Sequence, residues 1–306
     1  MKKNKLDNNP LFQKIKSSLK FFKWWIKSPV SIGNIKSNQK VLLIVGSGRS
    51  GNTLLRKLLI EKSNLYIPPE TYVLKDIVQI AKQVNGYPWD DQVDFLLSKL
   101  QFHRDFDTFN VENFNEFAWQ AKQWPIKLQN AGSLYIGLYE WLAQKNNVSC
   151  DMVGDKTPLN TKALGLIDIL WPNAIYIYIE RDIVDVCASY VKSGIYDNVE
   201  DSAERWCDSV GCWKSFKSTI SSDRYFELQY EDLVREPQEN INNIMNKLNL
   251  PKREFGIQDI NLGDVKAFSH HQNVNKEISQ SSIGKGYKDL KPDLVEAIKK
   301  VKGRRL

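Results

Sequence analysis

The sequence predicts an α/β fold in which a P-loop-type parallel sheet is flanked by helices. Two apolar runs, residues 41–45 and 175–179, have the length and composition of buried strands. Each run is followed by a short polar turn and then by an apolar pattern with helical spacing. Strand, turn and helix in this order are typical of the units from which parallel sheets are built.

The first turn is rich in glycine. Gly46, Gly48 and Gly51 allow the backbone to turn tightly, so that its N–H groups converge on an anion. The anion would lie at the N-terminus of a helix predicted over about residues 51–62. An ordinary strand-to-helix turn would also explain the glycines, so the residues between them decide the matter.

Those residues indicate a phosphate-bearing ligand other than ATP or GTP. The segment matches the nucleotide-binding pattern G-x-x-x-x-G-K-[ST] at Gly46, Gly51 and Thr53. Asn52 stands where that pattern has the lysine that grips the terminal phosphates. Arg49, inside the turn, supplies a different positive charge.

The second strand ends in another candidate anion site. Arg181 follows residues 175–179, and Ser189 lies about two helical turns later. Ligands of open parallel sheets gather beyond the carboxyl ends of the strands, which places Arg181 on the same rim as residues 46–53. Two anion sites on one rim suit a nucleotide phosphorylated at two places. Alternatively, Arg181 and Asp182 form a solvated turn pair and Ser189 is only a small helix residue.

Together these segments resemble the sulfotransferases that use PAPS (3′-phosphoadenosine 5′-phosphosulfate), most strongly the bacterial branch related to tyrosylprotein and glycan sulfotransferases. In that family an R-S-G-T-T-L loop binds the 5′-phosphosulfate. Its counterparts here are Arg49, Ser50, Gly51, Asn52, Thr53 and Leu54. An R-D-x-x-D-x-x-x-S element binds the 3′-phosphate, and residues 181–189 fit it, which implies that Arg181 and Ser189 bind that group.

Two further matches imply the catalytic residues. Residues 68–71 resemble the P-E-T/S segment of the family, which implies that Glu70 is catalytic. Residues 154–158 resemble the K-[TD]-P segment, which implies that Lys156 lies near the transferring group. With Arg49 from the loop, these residues form the predicted catalytic set.

Later segments complete the predicted cofactor site. Residues 224–237 are similar to the family's R-Y-E-D-L-V-x-x-P segment, and Tyr230 lies within them. Residues 282–287 loosely resemble the segment that closes over the cofactor, which adds Ser282 and Lys285. The resemblance covers roughly residues 40–290.

The chemistry itself calls for a general base. Sulfuryl transfer, like phosphoryl transfer, is an in-line displacement that depends on positioning and electrostatics. The acceptor hydroxyl must lose a proton, and Glu70 follows two prolines that hold the chain extended near the sheet. Lys156 or Arg49 would stabilise the leaving phosphate, and no metal is required. Alternatively, Glu70 caps the next helix, predicted over residues 71–81.

Histidine is the less favoured base, although the cytosolic small-molecule branch of the family uses it. His103, His270 and His271 are the three histidines of the chain. The adjacent pair would point in two directions in any regular structure, which is typical of a loop or of a substrate contact.

The positive charge of the chain is concentrated at its N-terminus. The first 40 residues contain ten lysines and one aspartate, a balance of +9, within a net charge of +7 for all 306 residues. We therefore divide the chain into a basic amphipathic segment, residues 1–39, and one catalytic domain, residues 40–306. The nearly neutral domain gives no reason to expect nucleic acid as a partner.

Residues 11–27 have the pattern of a helix that lies in a membrane surface. As a helix they would form an apolar stripe bordered by lysines, with Trp24 and Trp25 at its flanks. The alternative is a helix whose apolar stripe packs on the domain. The four cysteines show no metal-type pairing and are expected to be reduced thiols. We therefore expect a cytoplasmic protein, either free or peripheral on the inner face of an anionic membrane.

An aromatic-rich stretch with helical periodicity, about residues 83–148, predicts a helical insertion near the acceptor site. Most of its aromatic residues are expected to be core. The acceptor is a hydroxyl-bearing glycan, glycolipid or other small molecule, and a glycan or glycolipid is favoured.

Two other functions remain open on the sequence alone. A P-loop kinase would bind ATP at residues 46–53 and use Glu180 beside its metal, although the missing lysine argues against it. A non-catalytic nucleotide-binding module at the membrane would result if Glu70 or Lys156 were misplaced.

Overall fold

A computed structural model describes residues 35–253 and 278–306. These residues contain a five-stranded sheet with the strand order β2-β3-β1-β4-β5, in which every neighbouring pair is parallel. The strands are β1 (Leu42–Gly46), β2 (Leu65–Tyr66), β3 (Met152–Lys156), β4 (Ile175–Glu180) and β5 (Tyr225–Gln229). The predicted fold class is confirmed.

The two strands predicted from the sequence lie side by side at the centre of this sheet. In the register of β1 and β4, Leu42 pairs with Ile175 and Gly46 pairs with Ile179. Their carboxyl ends therefore meet at one edge, as the sequence predicts. Both strands end one residue later than predicted, because Gly46 of β1 still pairs with Ile179 and Glu180 of β4 still pairs with Gln229. Strand β1 also begins one residue later, at Leu42.

Helices cover both faces of the sheet and one end of it. In chain order they are α1 (Asn52–Lys62), α2 (Leu74–Val84), α3 (Trp89–Gln101), α4 (Asn115–Lys122), α5 (Ala131–Lys145), α6 (Leu164–Leu170), α7 (Ile183–Lys192), α8 (Val199–Lys217), α9 (Tyr230–Arg235), α10 (Pro237–Leu248), α11 (Lys285–Asp289) and α12 (Pro292–Arg305). A 3₁₀ segment, Pro158–Ala163, follows β3.

Side-chain alternation along the strands divides the core into layers. On one face, Leu43 and Val45 join the large cluster that includes helices α2 to α6. On the other face, Leu42 and Ile44 pack with α1, α9 and α10. Helices α7, α8 and α12 form a third cluster beside the sheet. Both faces of the central strand are thus buried, which explains its uninterrupted apolar sequence.

Helices α2 to α5 occupy the chain between β2 and β3, where the sequence predicts an insertion over about residues 83–148. Most of the aromatic side chains there are buried core residues. Tyr87, Phe95, Phe102 and Trp119 are exposed instead. Helix α2 begins at Leu74, with Val73 as its N-cap residue. Glu70 is therefore not the cap of this helix, which was the alternative role for it.

Some predictions fall outside the described residues, namely the amphipathic helix at 11–27 and the roles of His270 and His271. The described part begins at Ile35, whose side chain is buried and whose carbonyl oxygen accepts a hydrogen bond from the Gly132 N–H. Within the described ranges, no helix has the length and apolar character needed to cross a membrane.

Candidate active site

The turn after β1 has a backbone that glycine makes possible. Gly46 has a φ of 149°, and a Cβ on it would lie 2.3 Å from the carbonyl oxygen of Ile179. Gly51 has a φ of 91°, and a Cβ there would lie 2.4 Å from a ring carbon of Tyr230. Arg49 also has a positive φ, of 66°. The loop is thus a strained turn packed closely against β4 and α9, as expected of a rigid anion-binding loop.

Side chains behind the loop hold it in place. The Thr161 hydroxyl accepts from the Gly46 N–H at 2.8 Å and donates to the Gly46 carbonyl oxygen at 3.0 Å. The Asn52 amide donates to the Ser47 carbonyl oxygen at 2.8 Å. Asn52 stands where the nucleotide-binding pattern has its lysine, and its side chain stabilises the loop through this hydrogen bond.

The donor groups of this loop fit a phosphate-bearing ligand. The loop ends at the N-terminus of α1, where backbone N–H groups and the helix dipole favour an anion. Within the described residues, the Ser50 hydroxyl and the Arg181 Nε are buried and have no hydrogen-bond partner. Buried donors of this kind are normally satisfied, so an anion that accepts from them would remove their desolvation cost.

Two arginines connect the loop to the second predicted anion site. The Arg49 Nε donates to the Ser189 hydroxyl at 2.9 Å, and an Arg181 Nη donates to the Arg49 carbonyl oxygen at 3.2 Å. Burial lowers the pKa of the Arg49 guanidinium, and the nearby charge of Arg181 lowers it further. The alternative for Arg181, a solvated pair with Asp182, is not found among the ion pairs of the described residues, and the Asp182 carboxylate caps α7 instead. Both predicted sites thus belong to one cluster.

Tyr230 and Ser282, two of the predicted cofactor-binding residues, also contact this cluster. The Arg181 guanidinium lies over the Tyr230 ring, 4.5 Å from its centroid, and donates to the Ser282 carbonyl oxygen at 2.7 Å. The Tyr230 and Ser282 hydroxyls are 2.7 Å apart. Lys285 lies elsewhere, on the surface, where its ammonium is 3.1 Å from the Asp289 carboxylate.

Asp185 is a site residue to which the sequence analysis gave no role. Its buried carboxylate accepts from the N–H groups of Gly284 at 2.8 Å and Gly286 at 2.6 Å, and it lies 3.8 Å from an Arg181 Nη. It therefore fixes the C-terminal segment over the arginine cluster. The available signal was its position four residues after Arg181, in the first turn of the helix that follows.

Glu70 and Lys156 meet beside the start of α1. The Lys156 side chain is 0% exposed, and its ammonium lies 2.5 Å from a carboxylate oxygen of Glu70. The same ammonium is 3.4 Å from the Thr53 hydroxyl. The Glu70 side chain is 13% exposed, so it is not completely buried. The structure thus connects the predicted catalytic carboxylate to the phosphate loop through one buried lysine.

A buried network behind Glu70 holds its segment in place. The Thr71 hydroxyl donates to Asp155 at 2.8 Å, and Asp155 also accepts from Tyr139 at 3.0 Å and from Asn160 at 2.8 Å. Burial raises the pKa of Asp155, although the hydrogen bonds from Thr71 and Tyr139 oppose the rise. Tyr139 belongs to α5, so the helical insertion helps to position the residue after Glu70.

This arrangement can support a displacement reaction on a bound anion. Cationic groups surround the phosphate loop, and a partly open carboxylate lies at its edge. Such a carboxylate can accept a proton from a hydroxyl, while the neighbouring cations stabilise charge on the group that leaves.

Comparison with known proteins agrees with this geometry. A family model described as the sulfotransferase family matches residues 42–254. A comparison with the curated proteins gives no match. Two solved structures share the fold at low sequence identity. The sulfotransferase domain of the Synechococcus PCC 7002 olefin synthase is 23% identical with a TM-score of 0.59, and the match covers 91% of this chain and 97% of that one. The sulfotransferase domain from the curacin biosynthetic pathway is 20% identical with a TM-score of 0.58, and the match covers 88% and 98%.

Proposed function

Because the chain belongs to the sulfotransferase family, we propose that it transfers the sulfuryl group of PAPS to a hydroxyl of a glycan or glycolipid, with Glu70 as the general base. The family match confirms the predicted enzyme class, a PAPS-dependent sulfotransferase. It also favours this function over the kinase alternative. Glu70 as the base is inferred from the site, and the acceptor class is inferred from the family resemblance and the basic N-terminal segment.

Each end of the donor has a set of residues to bind it. PAPS supplies a sulfuryl group attached to a phosphate, which leaves when the group is transferred. The loop residues Arg49, Ser50, Gly51, Asn52 and Thr53 are proposed to bind the 5′-phosphosulfate. Arg181, Ser189, Tyr230 and Ser282 are proposed to bind the 3′-phosphate end. The role of Lys285 in cofactor binding stays a prediction, because its ammonium pairs with Asp289.

The observation that supports catalysis best is the contact of Glu70 with Lys156 beside the loop. The segment of Glu70 is held in place by the hydrogen bond of Thr71 to Asp155, and the Glu70 side chain is partly exposed, as a base that meets an acceptor hydroxyl must be. Lys156 brings a positive charge between this carboxylate and Thr53. A non-catalytic module would have no need for a buried ion pair at this point.

The function is tested by incubating the full chain with ³⁵S-labelled PAPS and a cell extract, and then identifying the labelled product. We expect a labelled glycan or glycolipid. PAP, the desulfated donor, should bind in a parallel calorimetric titration. Tight PAP binding without any labelled product would contradict the proposed sulfotransferase activity and favour the non-catalytic nucleotide-binding module.

We predict that Arg181→Ala weakens PAPS binding about tenfold or more, because hydrogen bonds to a charged group contribute roughly 1.5–3 kcal/mol. Binding of adenosine 5′-phosphosulfate, which lacks the 3′-phosphate, should change little. Calorimetric titration of both ligands checks this.

Arg104→Ala is the matched control, because the Arg104 side chain is exposed and its replacement removes the same positive charge. Equal losses for both ligands in Arg181→Ala would mean that Arg181 does not recognise the 3′-phosphate. A loss of PAPS affinity in Arg104→Ala would show that the effect of Arg181→Ala comes from the change in net charge.

We further propose that residues 11–27 bind the protein to the inner face of an anionic membrane. Lysines border the apolar stripe of this segment, and each lysine near an anionic surface adds about 1 kcal/mol of attraction. This location would bring the enzyme to lipid-linked acceptors.

Deleting residues 1–30 should release the protein from anionic vesicles while PAP binding stays intact. The deletion keeps Ile35, which is buried in the domain and needed for its packing. Sedimentation with phosphatidylserine-containing vesicles measures the effect, and high salt should weaken binding of the full chain. A truncated protein that unfolds would assign the apolar stripe to the core instead.

A further inference from the structure

Arg56 is a buried arginine to which the sequence analysis gave no role. It lies on α1, and only 2% of it is exposed. Its Nε donates to the Ile67 carbonyl oxygen at 3.0 Å, and one Nη donates to the same oxygen at 2.5 Å. A guanidinium keeps its positive charge in a protein interior, and hydrogen bonds from a charged donor are stronger than those from a neutral one. The arginine therefore holds this oxygen firmly against α1.

Ile67 is the residue at which the chain leaves the sheet on its way to the proposed base. It directly follows the last residue of β2, and its side chain is 0% exposed. The next two residues, 68–69, are prolines, which have no N–H and cannot donate a backbone hydrogen bond. The hydrogen bonds at the Ile67 carbonyl oxygen therefore fix the chain three residues before Glu70. We call residues 67–70 the base segment.

Helix α1 is connected to the other end of the base segment as well. The Lys156 ammonium is 2.5 Å from the Glu70 carboxylate and 3.4 Å from the Thr53 hydroxyl of α1. Thr53 and Arg56 are three residues apart, and side chains at this spacing are neighbours on one side of a helix. The helix thus contacts the base segment directly at Ile67 and through Lys156 at its end.

The same helix begins at the phosphate loop. It follows Gly51, where the backbone N–H groups are proposed to bind the 5′-phosphosulfate. The bound sulfuryl group and the proposed base would therefore be positioned by one helix. A misplacement of about 1 Å in a reacting group can lower a rate roughly a hundredfold. A residue that anchors the base segment can thus affect the reaction without touching a substrate.

We propose that Arg56 is a positioning residue for the proposed base, because it holds the base segment against the helix that carries the phosphate loop. This inference rests on the proposed function and adds a residue to it. It predicts that loss of the guanidinium lowers turnover through Glu70 while the donor still binds.

Two substitutions test this role. Arg56→Met removes the guanidinium and keeps a flexible apolar side chain at the buried position. Transfer of ³⁵S from saturating labelled PAPS to the cell extract should slow about a hundredfold, while the KM for PAPS and the affinity for PAP should stay within about twofold. Arg56→Lys keeps the charge but not the two-nitrogen contact, so it should recover part of the turnover and lose about tenfold. Near-normal turnover of either variant would overturn the proposal.

Arg253→Met is the matched control. The Arg253 Nε also donates to a backbone carbonyl oxygen, that of Ser63 at 3.1 Å, but beyond the C-terminal end of α1. Its replacement should leave turnover within about twofold. A parallel loss of PAP affinity and turnover in Arg56→Met would make Arg56 a support of the phosphate loop and overturn its role toward the base.

The double variant Arg56→Met/Glu70→Gln separates positioning from a general structural role. If Arg56 acts through Glu70, the double variant should be about as slow as Glu70→Gln alone, because the group that Arg56 positions no longer accepts a proton. Losses that multiply in full would contradict the proposal.

Hydrogen–deuterium exchange tests the contact without any sulfuryl transfer. The amides of residues 70–73 should exchange faster in Arg56→Met, and at the wild-type rate in Arg253→Met. Unchanged exchange in Arg56→Met would overturn the proposal even if turnover fell. Faster exchange in a chain that never transfers the sulfuryl group would contradict the proposed function and still support the attachment of the base segment by Arg56.

Discussion

Replacing Glu70 with glutamine should lower kcat by roughly 10²–10⁴-fold and leave PAP affinity nearly unchanged. The amide keeps the shape of the side chain, and its oxygen can still accept a hydrogen bond from the buried Lys156 ammonium. It cannot accept a proton from the acceptor hydroxyl. Transfer of ³⁵S from labelled PAPS under saturating donor measures the loss.

Glu61→Gln is a suitable control for this substitution. Glu61 also lies near a lysine, 3.9 Å from the Lys57 ammonium, but on the surface of α1 and away from the loop. Its replacement should leave kcat within about twofold, as usual for surface changes. Near-normal turnover of Glu70→Gln would instead exclude Glu70 as the base and direct attention to His270 and His271.

The parts of the fold that the sequence predicted correctly depend on local patterns. The strands at 42–46 and 175–180 are buried on both faces. Each therefore appears as a run of mostly apolar residues that can be recognised in the sequence alone. The loop between β1 and α1 could be recognised because its glycines are required by backbone geometry. The structure brings Arg49, Arg181 and Ser189 together after these strands, and their roles in binding stay predictions.

The parts that the sequence missed depend on contacts between distant segments. Asp155 bonds to Thr71, which precedes it by 84 residues, and to Tyr139, which belongs to the helical insertion. Asp185 bonds to glycine N–H groups about 100 residues later. No local periodicity marks such pairs.

A second large loss of activity is expected when Lys156 is replaced. Lys156→Met should lower kcat by about 10²–10³-fold, the usual loss when one preorganised charge near the transferring group is removed. Methionine has a similar length and suits a fully buried position, so the fold should survive. Lys162→Met is the matched control, because Lys162 also pairs with an acid, Asp208 at 2.8 Å, but on the surface.

The double variant Glu70→Gln/Lys156→Met distinguishes one catalytic unit from two independent groups. Because the Lys156 ammonium contacts both Glu70 and Thr53, each single substitution should already disturb the partner. The double variant should therefore be much less impaired than the product of the two single losses. Single-turnover measurements with labelled PAPS give the three rates. Losses that multiply fully would mean that Lys156 stabilises the leaving phosphate without any coupling to the carboxylate, and the ion pair would then have no part in proton removal.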